Sequence, residues 1–347
     1  MTYYLKKKLK LSGMEVLKQK KLIPRLYTST YIVYVVNGFI CVVQINKKGM
    51  TILEFADKFP DEASCRKDFK EKRELEGIIC KTCKSKEHYW LPSKEQWECK
   101  NCHFRTTLRS GSMMKNSNLP VRTWYLAMIF MTFSKKGLSA KELQHQLKHK
   151  RYDTVWSLMH RIRNAMGNRD NLYTLEGMIE FDEAYFEKAT PEGIKLKRGK
   201  GSQKQQNVAV SAESTFLEDI ETGKKSKHCR YFKMKVLDNH KSDTIDDVIK
   251  DSIEKDSIVF TDKSNTYLDI ADHVEIHISE KSTKETTATT LKWVHIAIAN
   301  AKRNLLGVYH KINGKYLQLY LDEFCYKLNR RYFGDRLFDR LVLAVAK

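Results

Sequence analysis

The sequence predicts a mixed α/β protein whose main domain follows a small metal-stapled module and a helical region. Three observations predict it. From Leu175 onward, three consecutive strand patterns are followed by helices interleaved with two further strands, a mixed α/β order. Cys80, Cys83, Cys99 and Cys102 are spaced C-x2-C, fifteen residues, C-x2-C, the spacing of a zinc ribbon. Between these two regions the chain reads as apolar and basic helices without strand alternation.

The elements follow in order. Residues 1–49 are read as an extension outside the working protein, with translation expected to begin at Met50. Its apolar run Tyr31–Ile45 has fifteen residues, short of the roughly 20 that span a bilayer. Asn37-Gly38 inside it is a two-residue hairpin signal, so a β-hairpin stands beside the reading as a short membrane segment. Residues 50–77 form a helical lead-in, 52–59 and 62–76, and residues 78–112 the ribbon. A ribbon this short and polar between its knuckles folds because metal binding supplies what its core cannot. In region 119–168, Pro120 opens an apolar helix in its first turn and Gly137 ends it. Two more helices follow, with Ser139 and Asp153 as N-caps. The trio has the look of a helix-turn-helix unit. His160, Arg161 and Arg163 on its last helix are read as DNA contacts, against the plainer reading of a solvated basic face.

The main domain, 175–347, starts with GMIEFDEAYF, a strand with an acidic middle, then NVAVSAES and CRYFKMKVLDN. A basic glycine-containing loop, KLKRGKGSQKQQ, separates the first two. A helix from SDTIDDVIKDSIEK precedes the strands SIVFTD and VEIHIS, and two long helices follow.

The 347 residues carry 63 Lys and Arg against 42 Asp and Glu, a net charge of +21 with a pI near 9.5. Such a surplus favours a polyanionic partner, nucleic acid first. Residues 1–49 carry +9 of it, ten basic residues against one acid. Outside the ribbon, Cys41, Cys65, Cys229 and Cys325 are scattered singly, which suits free thiols in a reducing, cytoplasmic setting.

Asp182 sits inside the first strand of the main domain and Asp262 at the end of the short strand Ile258-Val259-Phe260. A carboxylate on a buried strand is costly unless paired or bound to a cation. Two of them side by side can hold a divalent ion for phosphoryl transfer; each alone can equally be a turn or capping Asp.

The order of ribbon, helical region, GMIEFDEAYF, VFTDKSNTY and KRNLLGVYHKINGKYLQLYLDEFCYKLNRRY resembles the zinc-ribbon DDE transposases of bacterial insertion sequences, the IS fifteen-ninety-five family, from about Met50 to the C-terminus. The resemblance implies a ribonuclease-H-like core and metal-dependent cleavage and joining of DNA at element ends. It makes Asp182 and Asp262 the first two catalytic carboxylates, with Mg2+ or Mn2+ as cofactor beside the structural Zn2+. Many relatives carry a glutamate on a late helix with a lysine seven residues on. Here the lysine is Lys302 and the glutamate position is His295, nearly two helical turns apart and on one face. A histidine can ligate through a ring nitrogen but adds no negative charge. Glu280, Glu285 and Asn300 are the rival third ligands. Lys302 and Arg303 are expected to grip phosphate. Arg330 and Arg331 are weaker candidates for that task, and Tyr185, Trp293 and Tyr309 for stacking on bases. The implied partners are double-stranded DNA, as terminal inverted repeats and target, and further copies of the chain in a synaptic complex; the implied location is the bacterial cytoplasm at the nucleoid. A DNA-binding protein without catalysis, and a membrane-tethered regulator using the apolar run, are the competing readings.

Overall fold

A computed structural model describes residues 49–190, 202–218, 225–237, 242–281, 289–309, 312–334 and 336–347, the strands between 26 and 44, and residues 193, 283 and 286. Near the N-terminus β1 (Leu26–Tyr27), β2 (Tyr31–Val36) and β3 (Phe39–Gln44) form an antiparallel sheet. The pairing of β2 with β3 runs from Tyr31↔Gln44 to Val36↔Phe39, as the hairpin reading requires. Among the described residues no helix is long and apolar enough to cross a membrane.

Helices α1 (Ile52–Lys58) and α2 (Glu62–Glu76) both open with capping boxes. Thr51 Oγ1 accepts from the Glu54 N–H at 3.2 Å, and Asp61 Oδ1 from that of Ser64 at 2.7 Å. The ribbon follows as β4 (His88–Leu91), β5 (Gln96–Cys99) and β6 (Arg105–Thr107), antiparallel in that order. It leans on α2: the buried Trp97 donates its indole N–H to Glu74 Oε1 at 3.0 Å, and Arg73 and Lys70 lie over Trp97 and Trp90.

The helical region is α3 (Val121–Phe133), α4 (Ala140–Gln146) and α5 (Tyr152–Asp170). Ser139 caps α4 as predicted, accepting from Glu142 N at 3.1 Å. Three details differ from expectation. Pro120 occupies the N-cap of α3, not its first turn, and with no side chain to offer there it leaves the helix start to Glu62 of α2, which accepts from Val121 N at 2.9 Å and Arg122 N at 2.8 Å. Gly137 lies beyond the end of α3, where a Cβ would come within 2.7 Å of the Tyr309 hydroxyl; the glycine serves close approach rather than termination. Arg151 is the N-cap of α5, and Asp153 sits in its first turn, where a negative charge still favours the helix dipole.

The main domain is β7 (Met178–Glu187), β8 (Gln205–Glu218), β9 (Lys225–Val236), α6 (Ser242–Ser252), β10 (Ile258–Asp262), β11 (Ile276–Glu280), α7 (Lys292–Val308), α8 (Leu317–Asn329) and α9 (Arg336–Ala346). Most of the basic loop between β7 and β8 lies outside the described residues. The sheet order is β11-β10-β7-β8-β9, with β10 parallel to β7 and β11 and β8 antiparallel to both its neighbours. This is the ribonuclease-H-like arrangement of a mixed sheet. Strand alternation sends Ile179 and Phe181 to one face, against Ile245 and Ile249 of α6. Ala184 and Phe186 go to the other, against Val294, Ala297 and Ala301 of α7 and Leu321 of α8.

Two amides of α8 close the β9 edge. Gln318 accepts from Val236 N at 2.8 Å and donates to Met234 O at 2.9 Å. Asn329 accepts from Phe232 N at 2.8 Å and donates to Phe232 O at 2.9 Å. Eleven residues apart on a helix, the two project from one face and stand in for a neighbouring strand. The last helix, α9, returns to the helical region, where Phe338, Leu341 and Val345 share a core with Phe55, Phe59 and Tyr125.

Candidate active site and metal centre

The ribbon cysteines converge. The sulfurs of Cys80, Cys83, Cys99 and Cys102 all lie within 4.8 Å of one another, with Cys80 to Cys102 at 3.4 Å and Cys83 to Cys99 at 3.5 Å. Tetrahedral zinc at a Zn–S distance of about 2.3 Å sets sulfurs ~3.8 Å apart, so the donor set fits the ion. The two knuckles repeat one geometry. Lys84 N–H donates to Cys80 O at 3.1 Å and His103 N–H to Cys99 O at 3.0 Å, and both Lys84 and His103 have positive φ, 60° and 57°. Backbone N–H groups, that of Cys83 foremost, lower the Cys80 pKa, while neighbouring sulfurs raise those of Cys83 and Cys102, because four thiolates this close need a cation among them.

The second site is built where β7 and β10 run side by side beneath α7. The parallel pairs Ile258↔Met178, Val259↔Ile179 and Phe260↔Glu180 end two residues before Asp182 on β7 and Asp262 on β10, and the charge of Asp262 is felt at Asp182. Burial, reinforced by the charges of Asp262 and Glu183, pushes the Asp182 carboxyl up to about 6, while the Glu183 N–H at 2.8 Å and the charge of Lys302 pull against the rise. Two acids whose charges repel on a sheet favour a cation beside them. From α7, His295 Nε2 stands 3.8 Å from Asp182 Oδ2, with side-chain exposures of 38% and 17%. Burial lowers the His295 pKa, against the raising charges of Glu180 and Asp262, so the ring tends to its neutral, ligating form. Lys302, two turns on, is half-buried with its ammonium over the Phe186 ring at 5.7 Å. Among the described residues only the four cysteines have donor atoms all within 4.8 Å of one another, so Asp182, Asp262 and His295 form a more open set than the ribbon.

The rival ligands fall out differently. Glu280 is the last residue of β11, opposite Asp262 in register, and accepts from the Thr290 hydroxyl at 2.8 Å, so it is fixed to the sheet. Asn300 faces away from His295 around α7 and accepts from Arg303 at 2.5 Å. Glu285 lies outside the described residues.

Of the residues read as DNA contacts, Arg303 is exposed. Arg161 is half-buried, its guanidinium over Trp124 at 5.3 Å and bonded to Lys115 O. Arg163 requires correction. It is 1% exposed and donates to Glu323 Oε2 at 2.8 Å and to the Tyr309 hydroxyl at 3.0 Å, so it has no surface to offer a phosphate. His160 is likewise buried, between Trp156 and Tyr316. Arg330 is buried with its charge on Asp170, and Tyr309 is committed to Arg163 and Leu138 O. The YLDEFCYKLNRRY ending is therefore largely a set of internal fastenings.

Sequence reasoning passed over Glu180. It is 0% exposed, two residues before Asp182 on the same face of β7, and its carboxylate accepts from Trp293 N at 2.6 Å and Val294 N at 3.0 Å at the start of α7. A second acid at the i−2 position of a buried strand was the available signal.

Residues 174–329 match the ISXO2-like transposase domain family, the stretch that holds β7, β10 and α7. Comparison with curated proteins gives no match. Two crystal structures of Mos1 overlap with the chain loosely. The Mos1 strand transfer complex is 13% identical at a TM-score of 0.29, covering 64% of this chain and 76% of that one. A pre-cleavage Mos1 transpososome is 10% identical at 0.25, covering 64% and 78%.

Proposed function

We propose that this chain, which carries an ISXO2-like transposase domain, is a DNA transposase that cleaves and joins insertion-sequence ends using Asp182, Asp262 and His295. The observation that carries the reading is the approach of His295 Nε2 to 3.8 Å from Asp182 Oδ2, with Asp262 near enough for its charge to act on Asp182. A Mg2+ or Mn2+ ion held there would supply the charge that activates an attacking oxygen and steadies a phosphate in flight. Asp182 and Asp262 hold the anionic side of that site on rigid strands, and His295 adds a neutral nitrogen from the helix above them. Lys302, on the same face of α7 as His295, is placed to steady the phosphate backbone, and the exposed Arg303 to extend that grip. Glu280 is the reserve ligand, because its place beside Asp262 in β11 gives it the rigidity a ligand needs. The ribbon, holding Zn2+, and the helical region, with Arg161, are read as the parts that recognise terminal repeats. Joining two ends calls for a homo-oligomeric assembly on DNA, in the bacterial cytoplasm at the nucleoid.

The test is a cleavage and strand-transfer assay on linear DNA bearing the element's own ends. Asp182→Ala and Asp262→Ala are each expected to lower cleavage at least about a hundredfold while leaving end binding intact. Cutting at wild-type rate by either variant removes that residue from the site. His295→Ala is expected to follow them; if it does not while Glu280→Ala does, the third ligand is Glu280.

A further inference from the structure

We infer that Glu180 is a positioning residue, anchoring the first turn of α7 to the catalytic strand so that His295 stays against Asp182. The inference rests on the site proposed above. A helix start leaves four backbone N–H groups without partners, and a buried start needs them satisfied from elsewhere. Leu291, at the N-cap of α7, has φ −107° and ψ 25° and makes no side-chain cap. Glu180 supplies the missing acceptor from another element, taking the N–H groups of Trp293 at 2.6 Å and Val294 at 3.0 Å on one carboxylate oxygen. A negative charge is favoured at that end of the helix.

The placement closes a ring of contacts. Glu180 and Asp182 stand two residues apart on β7 and so share a face. Val294, which Glu180 holds, immediately precedes His295, whose imidazole reaches back to Asp182. Strand, cap, helix turn and imidazole are thus tied into one short circuit, and a shift of α7 along the sheet would have to break the cap before it moved His295. Glu62 makes the same use of a borrowed carboxylate at the start of α3, but there no reactive residue follows. The role assigned to Glu180 is therefore geometric. What α7 needs is a hydrogen-bond acceptor at that reach, with or without a full charge.

Two conservative variants of the full-length chain separate reach from charge. Glu180→Gln keeps the reach and an acceptor oxygen but loses the charge; Glu180→Asp keeps the charge but draws it back by one methylene. Hydrogen exchange read by mass spectrometry over residues 291–296 reports the cap without any chemistry. Exchange there is expected to rise at least about tenfold in Glu180→Asp and Glu180→Ala and to stay near wild type in Glu180→Gln. Cleavage is expected to fall about ten- to a hundredfold in Glu180→Asp and Glu180→Ala, with Glu180→Gln restoring most of it. In a His295→Ala background, Glu180→Asp is expected to cost nothing further, because the path through His295 is already gone. Glu180→Gln as damaging as Glu180→Asp, unaltered exchange at the start of α7, or losses that simply add to those of His295→Ala would each overturn the inference. If instead Asp182→Ala leaves cleavage intact, the site reading fails, and the exchange data still decide whether Glu180 holds the helix.

Discussion

His160 shows how a residue with a functional look serves packing. Its ring lies 3.9 Å from that of Trp156, stacks at 28° on Tyr316 and meets Tyr320 edge-on. Among the described residues neither ring nitrogen has a hydrogen-bond partner, and burial pushes its pKa from 6.5 down to about 4. The folded state therefore holds this ring neutral where the unfolded chain would protonate it. Its contribution is fully present above pH 6.5 and is lost as pH falls toward about 4, up to roughly 3 kcal/mol. Urea unfolding of the wild type and His160→Phe should show a gap that narrows in favour of the phenylalanine variant across that window. A parallel pH dependence in both proteins would show that the ring is solvated. Arg163 teaches the same lesson more strongly, since a guanidinium on a basic helix reads as a nucleic-acid contact until its partner is seen.

That partner, Glu323, is 160 positions away, and the pair fastens α5 to α8. Both groups are almost fully buried, with Lys327 also 3.6 Å from Glu323. Removing one member leaves the other charged in the interior, so Arg163→Met or Glu323→Gln should each cost about 3–5 kcal/mol in chemical denaturation. The triple variant Arg163→Met/Glu323→Leu/Lys327→Met, which removes all three charges, should recover much of that loss; equal losses in single and triple variants would mean that packing, not charge, sets the cost. The ribbon is fastened by metal instead. Zinc analysis should find one ion per chain, lost in Cys83→Ser or on chelation, with a change in the fluorescence of the Trp90–Trp97 pair, whose rings are 4.7 Å apart. Unchanged tryptophan emission after the ion is stripped would mean that the β4–β6 sheet stands without it.

At the scale of the whole molecule, what the sequence disclosed was whatever is local or periodic. The ribbon came from cysteine spacing, the alternation of Ile179, Phe181 and their neighbours marked β7, and the seven-residue step from His295 to Lys302 put both on one helix face. The mixed sheet was legible from the order of strands and helices, and the candidate site proposed here starts from two strand-borne acids together with the family resemblance. The partnerships were not. The carboxylates that Glu62 and Glu180 lend to α3 and α7, the burial of Arg163, the place of Glu280 beside Asp262 and the return of α9 to the helical region each join segments far apart in the chain. No pattern within one segment announces them. Gln318 and Asn329 belong to the same class, since nothing in the α8 sequence shows that its amides face β9. Replacing both by Ala should leave the N–H and C=O of Phe232, the N–H of Val236 and the carbonyl of Met234 without these partners, and light scattering should then report self-association. A double variant that stays dispersed would show the strand shielded by other means. The wild-type arrangement also restricts how copies can meet. With Phe232, Met234 and Val236 already matched by α8, a strand from a second copy cannot pair along that stretch of β9, so copies of the chain have to meet through other surfaces.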